Sequence, residues 1–233
     1  MPASAPLPFP VTPRRPGDPE PDLAGFALVH SALRSGCRLI ADATTAIAAG
    51  SPCPPARHRA AVRFAAAVLE EVHVHHSRED DVLWPVIAAS AGAHVDLEPL
   101  SDDHAELQRV LDRAQAALAR FEAAGPAQAA PLAALLTHLA DDLDEHVAEE
   151  EREVFPVLRR FVSAGDLTRA EARFRAGTTP RQLAFLLPWL VDSCPTPADR
   201  AALLARVPLP LRLLLRAVSP AWQRQRDLVA GTG

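Results

Sequence analysis

The sequence of 233 residues predicts an all-α protein, an up-down-up-down four-helix bundle with a C-terminal extension of short helices. Four long stretches carry apolar residues at helical spacing, and short segments rich in proline and glycine separate them. The second and fourth stretches also repeat one motif at a fixed offset. Four long helices joined by short loops are typical of such a bundle.

The predicted bundle helices are 22–49, 56–89, 99–124 and 131–162. Asp22 can cap the first of them, and Gly50 with the prolines that follow ends it. Pro85 predicts a kink in the second helix because proline removes a backbone hydrogen bond, and Pro156 is an equivalent site for a bend in the fourth.

Composition divides the chain into three regions. Residues 1–21 are rich in proline, so we expect them to be extended and mobile. Residues 22–164 form the predicted bundle, and residues 165–233 carry ten arginines against five acidic residues, a basic extension to an acidic bundle. The predicted helices of the extension are 166–175, 180–191, 197–207 and 210–230, the last with a break at Pro220 and the third capped by Thr196. Its apolar stripes predict an accessory layer packed on the bundle, and the alternative is a basic amphipathic surface for a membrane or partner.

Composition also excludes several classes of function. The net charge of −5 gives no reason to expect nucleic acid, and the absence of tyrosine excludes a tyrosinate ligand. Three widely spaced cysteines without a C-x-x-C pair fit a reducing cytoplasm, not a disulfide framework or a cysteine zinc site. We find no signal peptide, membrane span, phosphate-binding glycine loop or catalytic triad, and expect a soluble cytoplasmic protein.

The repeated motif is His-x-x-x-Glu, followed after a gap by an aromatic residue and proline. It occurs in segments 72–85 and 143–156, at an offset of 71 residues. The aligned positions are His75 with His146, Glu79 with Glu150, Trp84 with Phe155, and Pro85 with Pro156. A repeat that carries ligand-type residues at matching places indicates one site built from two halves.

Both His-Glu pairs interrupt an apolar seam, with the two side chains one turn apart on one face of the helix. A buried carboxylate without a partner costs several kcal/mol, so each needs a cation or strong donors. The sequence contains no lysine, and helical phase directs Arg78 and Arg152 away from the seam. A bound metal is the simplest way to stabilise these four residues at core positions.

The first and third predicted helices each add one histidine on an apolar stripe. A lone histidine of this kind is usually a hydrogen-bonded core residue. Here each half of the chain reads His, loop, His-x-x-x-Glu, so four helices direct four imidazoles and two carboxylates to one point. Bundles that bind two iron or manganese ions are built in this way. The predicted metal ligands are His30, His75, Glu79, His104, His146 and Glu150.

The neighbouring residues receive weaker predictions. His76 lies 100° around the helix from His75, which predicts a rim or supporting group and leaves a ligand role open. Asp80 or Glu151 could replace the preceding glutamate if a helix is locally overwound. Trp84 and Phe155 are expected to close the end of the bundle. We expect His73 and His138 on the solvent side, assign no role to His58 and His94, and interpret Cys37 as a core residue.

The double His-x-x-x-Glu motif with its aromatic-proline ending resembles the hemerythrin-like (HHE cation-binding) family of non-haem diiron four-helix bundles, over roughly 25–162. The resemblance implies two non-haem iron ions, oxo- or hydroxo-bridged, with zinc or manganese as alternatives. It implies that His30 and His75 serve one ion, that His104 and His146 serve the other, and that Glu79 and Glu150 bridge them. Oxygen-carrying members have a second histidine four residues after the first on the third helix, where this chain has Gln108. That departure favours an ion with open positions over reversible oxygen carriage.

These features support a protein that binds or reacts with small oxidants, namely O2, H2O2 or NO. As an enzyme it would be a diiron oxidoreductase of peroxidase- or catalase-like or NO-reducing type, and an electron-donor protein is then a candidate partner. The alternative is a non-catalytic oxygen or iron sensor, or a metal-holding bundle that signals through its basic tail. The same ligands serve all of these, so the motif leaves them open. An extension that covers the site would favour the enzyme.

Overall fold

The computed structural model describes residues 7–232, and within that range the chain is largely helical and has no strand. The α-helices are α1 Ala24–Ala48, α2 Pro55–Arg78, α3 Trp84–Ala91, α4 Glu98–Ala124, α5 Ala129–Phe161, α6 Ala164–Arg175, α7 Pro180–Asp192, α8 Pro197–Arg206 and α9 Leu209–Ala230. A π-helical segment, Glu79–Leu83, joins α2 to α3. Among the described helices, none combines the length and apolar character needed to cross a membrane.

The predicted helix boundaries agree with the observed ones to within about two residues. The predictions and the structure differ inside the helices, at prolines. Pro85 lies in the first turn of α3, directly after the π-helical segment, so the helix widens before the proline. α5 continues through Pro156 and α9 continues through Pro220, so the break predicted at Pro220 is wrong. Leu215 and Trp222 are buried on either side of Pro220, and this packing offsets the lost hydrogen bond.

Side-chain caps mark several helix starts. Oδ1 of Asp22 accepts a hydrogen bond from the backbone N–H of Ala24 at 3.0 Å, where α1 begins. The Thr196 side chain accepts from the N–H of Asp199 and caps α8, as the sequence predicts. Thr179 forms a capping box with Gln182 at the start of α7.

Four helices, α1, α2, α4 and α5, enclose the core, and each packs against two of the others. Their buried apolar residues form two clusters. The larger cluster ends at Val72, Leu107 and Val147, and the smaller cluster contains Leu83 and Val154. The His-x-x-x-Glu segments, 75–79 and 146–150, lie where one cluster gives way to the other, so they form a polar layer between two apolar ones.

The C-terminal helices α7 and α9 pack on α1 and α2. Trp189 of α7 is buried against Gly36 of α1: a β-carbon added at Gly36 would lie 2.5 Å from Cζ2 of Trp189. Phe64 of α2 contacts both Phe185 of α7 and Trp222 of α9. These aromatic contacts attach α7 and α9 to the face of the bundle that α1 and α2 form.

The N-terminal segment contains no helix between residues 7 and 21, and it lies along the junction of α5 and α6. The N–H of Thr12 donates to Oδ2 of Asp166 at 2.8 Å, and the N–H of Arg14 donates to the carbonyl of Phe161 at 2.8 Å. The sequence predicts that this segment is extended and mobile, and two hydrogen bonds from its backbone attach it to α5 and α6. They can form because residues other than proline keep their N–H groups. The expectation for residues 1–6 lies outside the described residues.

Candidate metal centre

Seven buried side chains form two adjoining groups in the polar layer. The first group is His30, His75, Glu79 and Glu150, and the second is His76, His104 and His146. Within each group the ligand-type atoms lie within 4.8 Å of one another. All six residues predicted as ligands are therefore brought together, and His76 joins them.

Glu79 reaches both groups with its two carboxylate oxygens. Oε1 lies 3.1 Å from Nε2 of His75, and Oε2 lies 3.6 Å from Nε2 of His104. Glu79 is 1 % exposed, so both oxygens face the interior. A carboxylate in this position can supply one oxygen to each of two neighbouring cations.

Glu150 has the equivalent position on α5. Its Oε2 lies 3.4 Å from Nε2 of His30 and 4.0 Å from Nε2 of His146. Like Glu79 it is completely buried, and the two carboxylates enter the polar layer from different helices. The 71-residue repeat is thus visible in three dimensions as two carboxylates with matching surroundings.

A carboxylate holds the outer nitrogen of one histidine in each half. Nδ1 of His30 donates to Oε1 of Glu151 at 2.9 Å, and Nδ1 of His104 donates to Oδ1 of Asp80 at 2.9 Å. An ionised carboxylate only accepts, so the proton is assigned to Nδ1 and the lone pair to Nε2, which faces the centre. Asp80 and Glu151 therefore orient ligand-type histidines from the opposite half of the repeat, a role that differs from replacing Glu79 or Glu150.

The aromatic residues of the repeat cover these same two imidazoles. Trp84 stacks on His104 with ring centroids 5.8 Å apart, and Phe155 stacks on His30 at 5.9 Å. Phe26 meets the edge of His30 at 4.8 Å. The stacked rings restrict the orientation of the imidazoles and cover one side of the polar layer. That they close the end of the bundle stays a prediction.

Burial keeps three of the imidazoles neutral at pH 7. It lowers the pKa of His75 and of His76 well below 6.5, and neighbouring imidazoles add to the effect. For His146, burial and the nearby His104 lower the pKa to about 4. A neutral imidazole has a free lone pair, which is the form that binds a metal ion.

The protonation states of His30, Glu79 and Glu150 depend on one another. Burial opposes protonation of His30, but the adjacent carboxylates of Glu150 and Glu151 outweigh it and raise the pKa of His30. Burial and the charge of Glu150 raise the pKa of Glu79 well above its usual range, and His30 lowers the pKa of Glu150 despite burial. Without a cation, Glu79 is thus the carboxylate that holds a proton, because two buried anions repel each other.

The polar atoms of this layer fit a metal. Among the described residues, buried side-chain atoms without a hydrogen-bond partner include Nε2 of His30, His75 and His76 and all four carboxylate oxygens of Glu79 and Glu150. Some lie close to each other, but not in hydrogen-bond geometry. Because unsatisfied buried polar atoms cost free energy, so many at one point fit a cation that binds nitrogen and oxygen together.

His76 is the residue that the sequence reasoning placed at the rim. It is 5 % exposed, stacks on His104 at 4.5 Å and meets the edge of His146 at 5.1 Å. The reason is geometric: α2 packs against both α1 and α4, so two residues 100° apart can each face one neighbour. The doubled histidine at 75–76 is the sequence signal that could have found it.

Gln108, the position of the second helix-C histidine in oxygen carriers, turns away from the centre. Its Oε1 accepts from Nδ1 of His73 at 2.8 Å, and its Nε2 donates to Asp112 at 2.7 Å. Histidines at the centre nevertheless number five among the described residues, because His76 is present. The four imidazoles predicted for the centre are thus joined by a fifth, and the set that ligates a metal stays a prediction.

The other histidines, the cysteine and the arginines discussed from the sequence lie away from the two groups. His73 and His138 are exposed, His94 stacks on Phe161, and Nε2 of His58 contacts the carbonyl of Phe121. Cys37 is a core residue whose pKa burial raises to about 12. Arg152 is on the surface with Glu149 and Glu153, whereas Arg78 is half-buried beneath the C-terminal extension.

Fold and site together define a helical bundle with a buried histidine–carboxylate centre, a class of protein that holds metal cations. The family model of the hemerythrin HHE cation binding domain matches residues 23–158, more than half of the chain. The chain belongs to this family, whose domain binds metal cations. Searches of curated proteins and of solved structures returned no match.

Proposed function

We propose that this protein binds two non-haem iron ions at the histidine–carboxylate centre and uses them to bind or react with O2, H2O2 or NO. The observation that carries the proposal is that Glu79 and Glu150 each lie between the two groups of histidines. Two carboxylates shared by two sets of imidazoles suit a pair of ions better than a single one. Zinc and manganese are the alternative metals.

The proposed ligands divide unequally between the ions. His30 and His75 would serve one ion, while His76, His104 and His146 would serve the other, with Glu79 and Glu150 shared. The first ion then has one imidazole fewer, so a small ligand has more room there. Iron ions held in this way would supply and take up the electrons exchanged with oxygen, peroxide or nitric oxide.

The protein's own residues prepare the centre for that chemistry. Asp80 and Glu151 hold the Nδ1 protons of His104 and His30, which leaves both Nε2 lone pairs directed inward. Apolar layers on both sides exclude bulk water and so limit side reactions. The extension packs over the bundle beside this layer, an arrangement that favours a reactive centre over one that signals through a free tail.

The test is metal content and optical spectrum after expression with added iron. We expect about two irons per chain and near-ultraviolet bands of a bridged ferric pair. His75→Ala and His146→Ala should abolish these bands, whereas the exposed His138→Ala should retain them. Peroxide or NO consumption by the loaded protein then separates an enzyme from a sensor. Absence of metal, or a single zinc indifferent to the first two substitutions, would overturn the diiron proposal.

A further inference from the structure

A cavity of about 370 Å³ lies beside the metal centre, between the bundle and the C-terminal extension. His75 and Glu79 of the centre form part of its wall, so its contents would lie next to the first group of ligands. The volume is that of a site for a small organic molecule, larger than a diatomic ligand or peroxide needs. Nothing in the proposed reaction with small oxidants accounts for it.

Two of the cavity walls are apolar. α1 contributes Val29 and Leu33, and α7 contributes Leu183, Leu186 and Leu190. Such walls favour the burial of hydrocarbon and disfavour a free inorganic ion, which would lose its hydration without replacement contacts. The occupant therefore has a substantial apolar part.

The wall on α2 is polar, and Arg78 is the cation on it. In the described part of the chain Arg78 forms no salt bridge, although the charge of Glu71 acts on it, and its hydrogen bond to Oγ1 of Thr178 is long, at 3.5 Å. The other arginine of the cavity, Arg175, already pairs with Glu171 at 3.5 Å. A half-buried guanidinium with free donors suits a carboxylate, which it can bind through two parallel hydrogen bonds.

Glu71 is the acidic group on the same wall that bears on this assignment. It is 8 % exposed, and burial raises the pKa of its carboxyl. The charge of Arg78 lowers the same pKa, so Glu71 and Arg78 lie close enough to interact. The carboxylate of the occupant would therefore bind Arg78 beside this buried acidic group.

We propose that this cavity binds an apolar organic acid, with its hydrocarbon part between α1 and α7 and its carboxylate at Arg78. The bound molecule would contact the wall formed by His75 and Glu79, and so bring an organic ligand next to the metal centre. The extension is what makes this site, because α7 supplies the facing wall. The cavity and its charges belong to the protein with or without metal, so the organic acid would bind in either state.

The experiment is isothermal titration calorimetry of the full chain, metal-free and iron-loaded, with decanoate as the probe. We expect saturable binding at one site per chain, no binding of acetate, and weaker binding of 1-decanol. Arg78→Gln should weaken decanoate binding about 10- to 100-fold and leave 1-decanol unchanged, because only the charged hydrogen bonds are lost. Arg59→Gln, at an exposed position on the same helix, is the matched control and should bind as the parent does.

Leu183→Trp provides a second variant that tests the apolar wall. A larger side chain at this cavity-lining position should reduce the binding of decanoate and of 1-decanol together. Circular dichroism and melting temperature show whether each variant is folded. No saturable decanoate binding by the folded parent, or equal binding by parent, Arg78→Gln and Leu183→Trp, would overturn the proposal. Iron content is a separate readout, so failure of this inference is distinguishable from failure of the diiron proposal.

Discussion

Nδ1 of His104 donates to Oδ1 of Asp80 at 2.9 Å, and the two residues come from opposite halves of the internal repeat. His30 and Glu151 make the reciprocal contact at the same distance. Each half therefore supplies the carboxylate that orients a histidine of the other half. The two halves can form these contacts only when the four bundle helices have assembled, which links folding of the bundle to the geometry of the centre.

Asp80→Asn tests the orienting role. An amide in place of the carboxylate can donate to Nδ1 and so favour the wrong tautomer of His104, which turns a proton toward the centre. We expect metal affinity to fall about 10- to 100-fold in competition with a chelator. Asp81→Asn, at the exposed neighbouring position, is the control and should bind as the parent does. Equal affinity of both variants would exclude an orienting role for Asp80.

His76→Gln tests whether His76 completes the second group of ligands. We expect metal content to fall from about two ions to about one per chain, because the proposed second ion would lose one of three imidazoles. Gln108→Ala removes a side chain that contacts His73 and Asp112 at the surface, and its metal content should equal that of the parent. The measurement is metal per chain after gel filtration. A parent-like content in His76→Gln would assign this residue to a supporting role.

The stability of the metal-free protein should depend on pH through His146. Its pKa is about 4 when folded, against an ordinary value of 6.5, so between these values the unfolded chain binds a proton that the folded chain does not. The free energy of unfolding therefore falls as the pH is lowered from about 6.5 to about 4, on the order of 3 kcal/mol from this group.

Denaturant titrations of chelator-treated protein across this pH range measure the effect. His146→Gln should show a shallower fall of unfolding free energy with pH than the parent, because the titrating group is gone. The exposed His138→Gln, on the same helix, should follow the parent curve. An unchanged slope in His146→Gln would mean that this imidazole titrates normally in the folded protein.

Gly36→Ala tests the attachment of the C-terminal extension. The added methyl group would lie 2.5 Å from Cζ2 of Trp189, so α7 must shift or α1 must distort. We expect a loss of about 1–3 kcal/mol in the free energy of unfolding, measured by denaturant titration. Gly25→Ala in the same helix has its nearest neighbour at 3.9 Å, and should be neutral or stabilising by up to about 1 kcal/mol. Equal stability of both variants would show that α7 is not held at Gly36.

Much of the fold follows from local rules. The helix pattern and its capping residues predict the observed boundaries to within a few residues, since Thr196 and the prolines act through neighbouring backbone groups. The widening at Glu79–Leu83 and the continuity of α9 through Pro220 are not local, because packing on both sides decides whether a helix tolerates a proline.

The sequence by itself determined the all-helical fold and the meeting of six ligand-type residues, because the repeat and the i, i+4 spacing place them on buried faces. Only the tertiary structure decided the place of His76, the exchange of orienting carboxylates, and the cavity beside His75. The physical reason is that helical phase gives a direction within one helix, whereas a contact depends on which neighbours that direction meets. The cavity exists because α7 packs where Gly36 leaves room for Trp189, and no periodicity in the sequence contains that relationship.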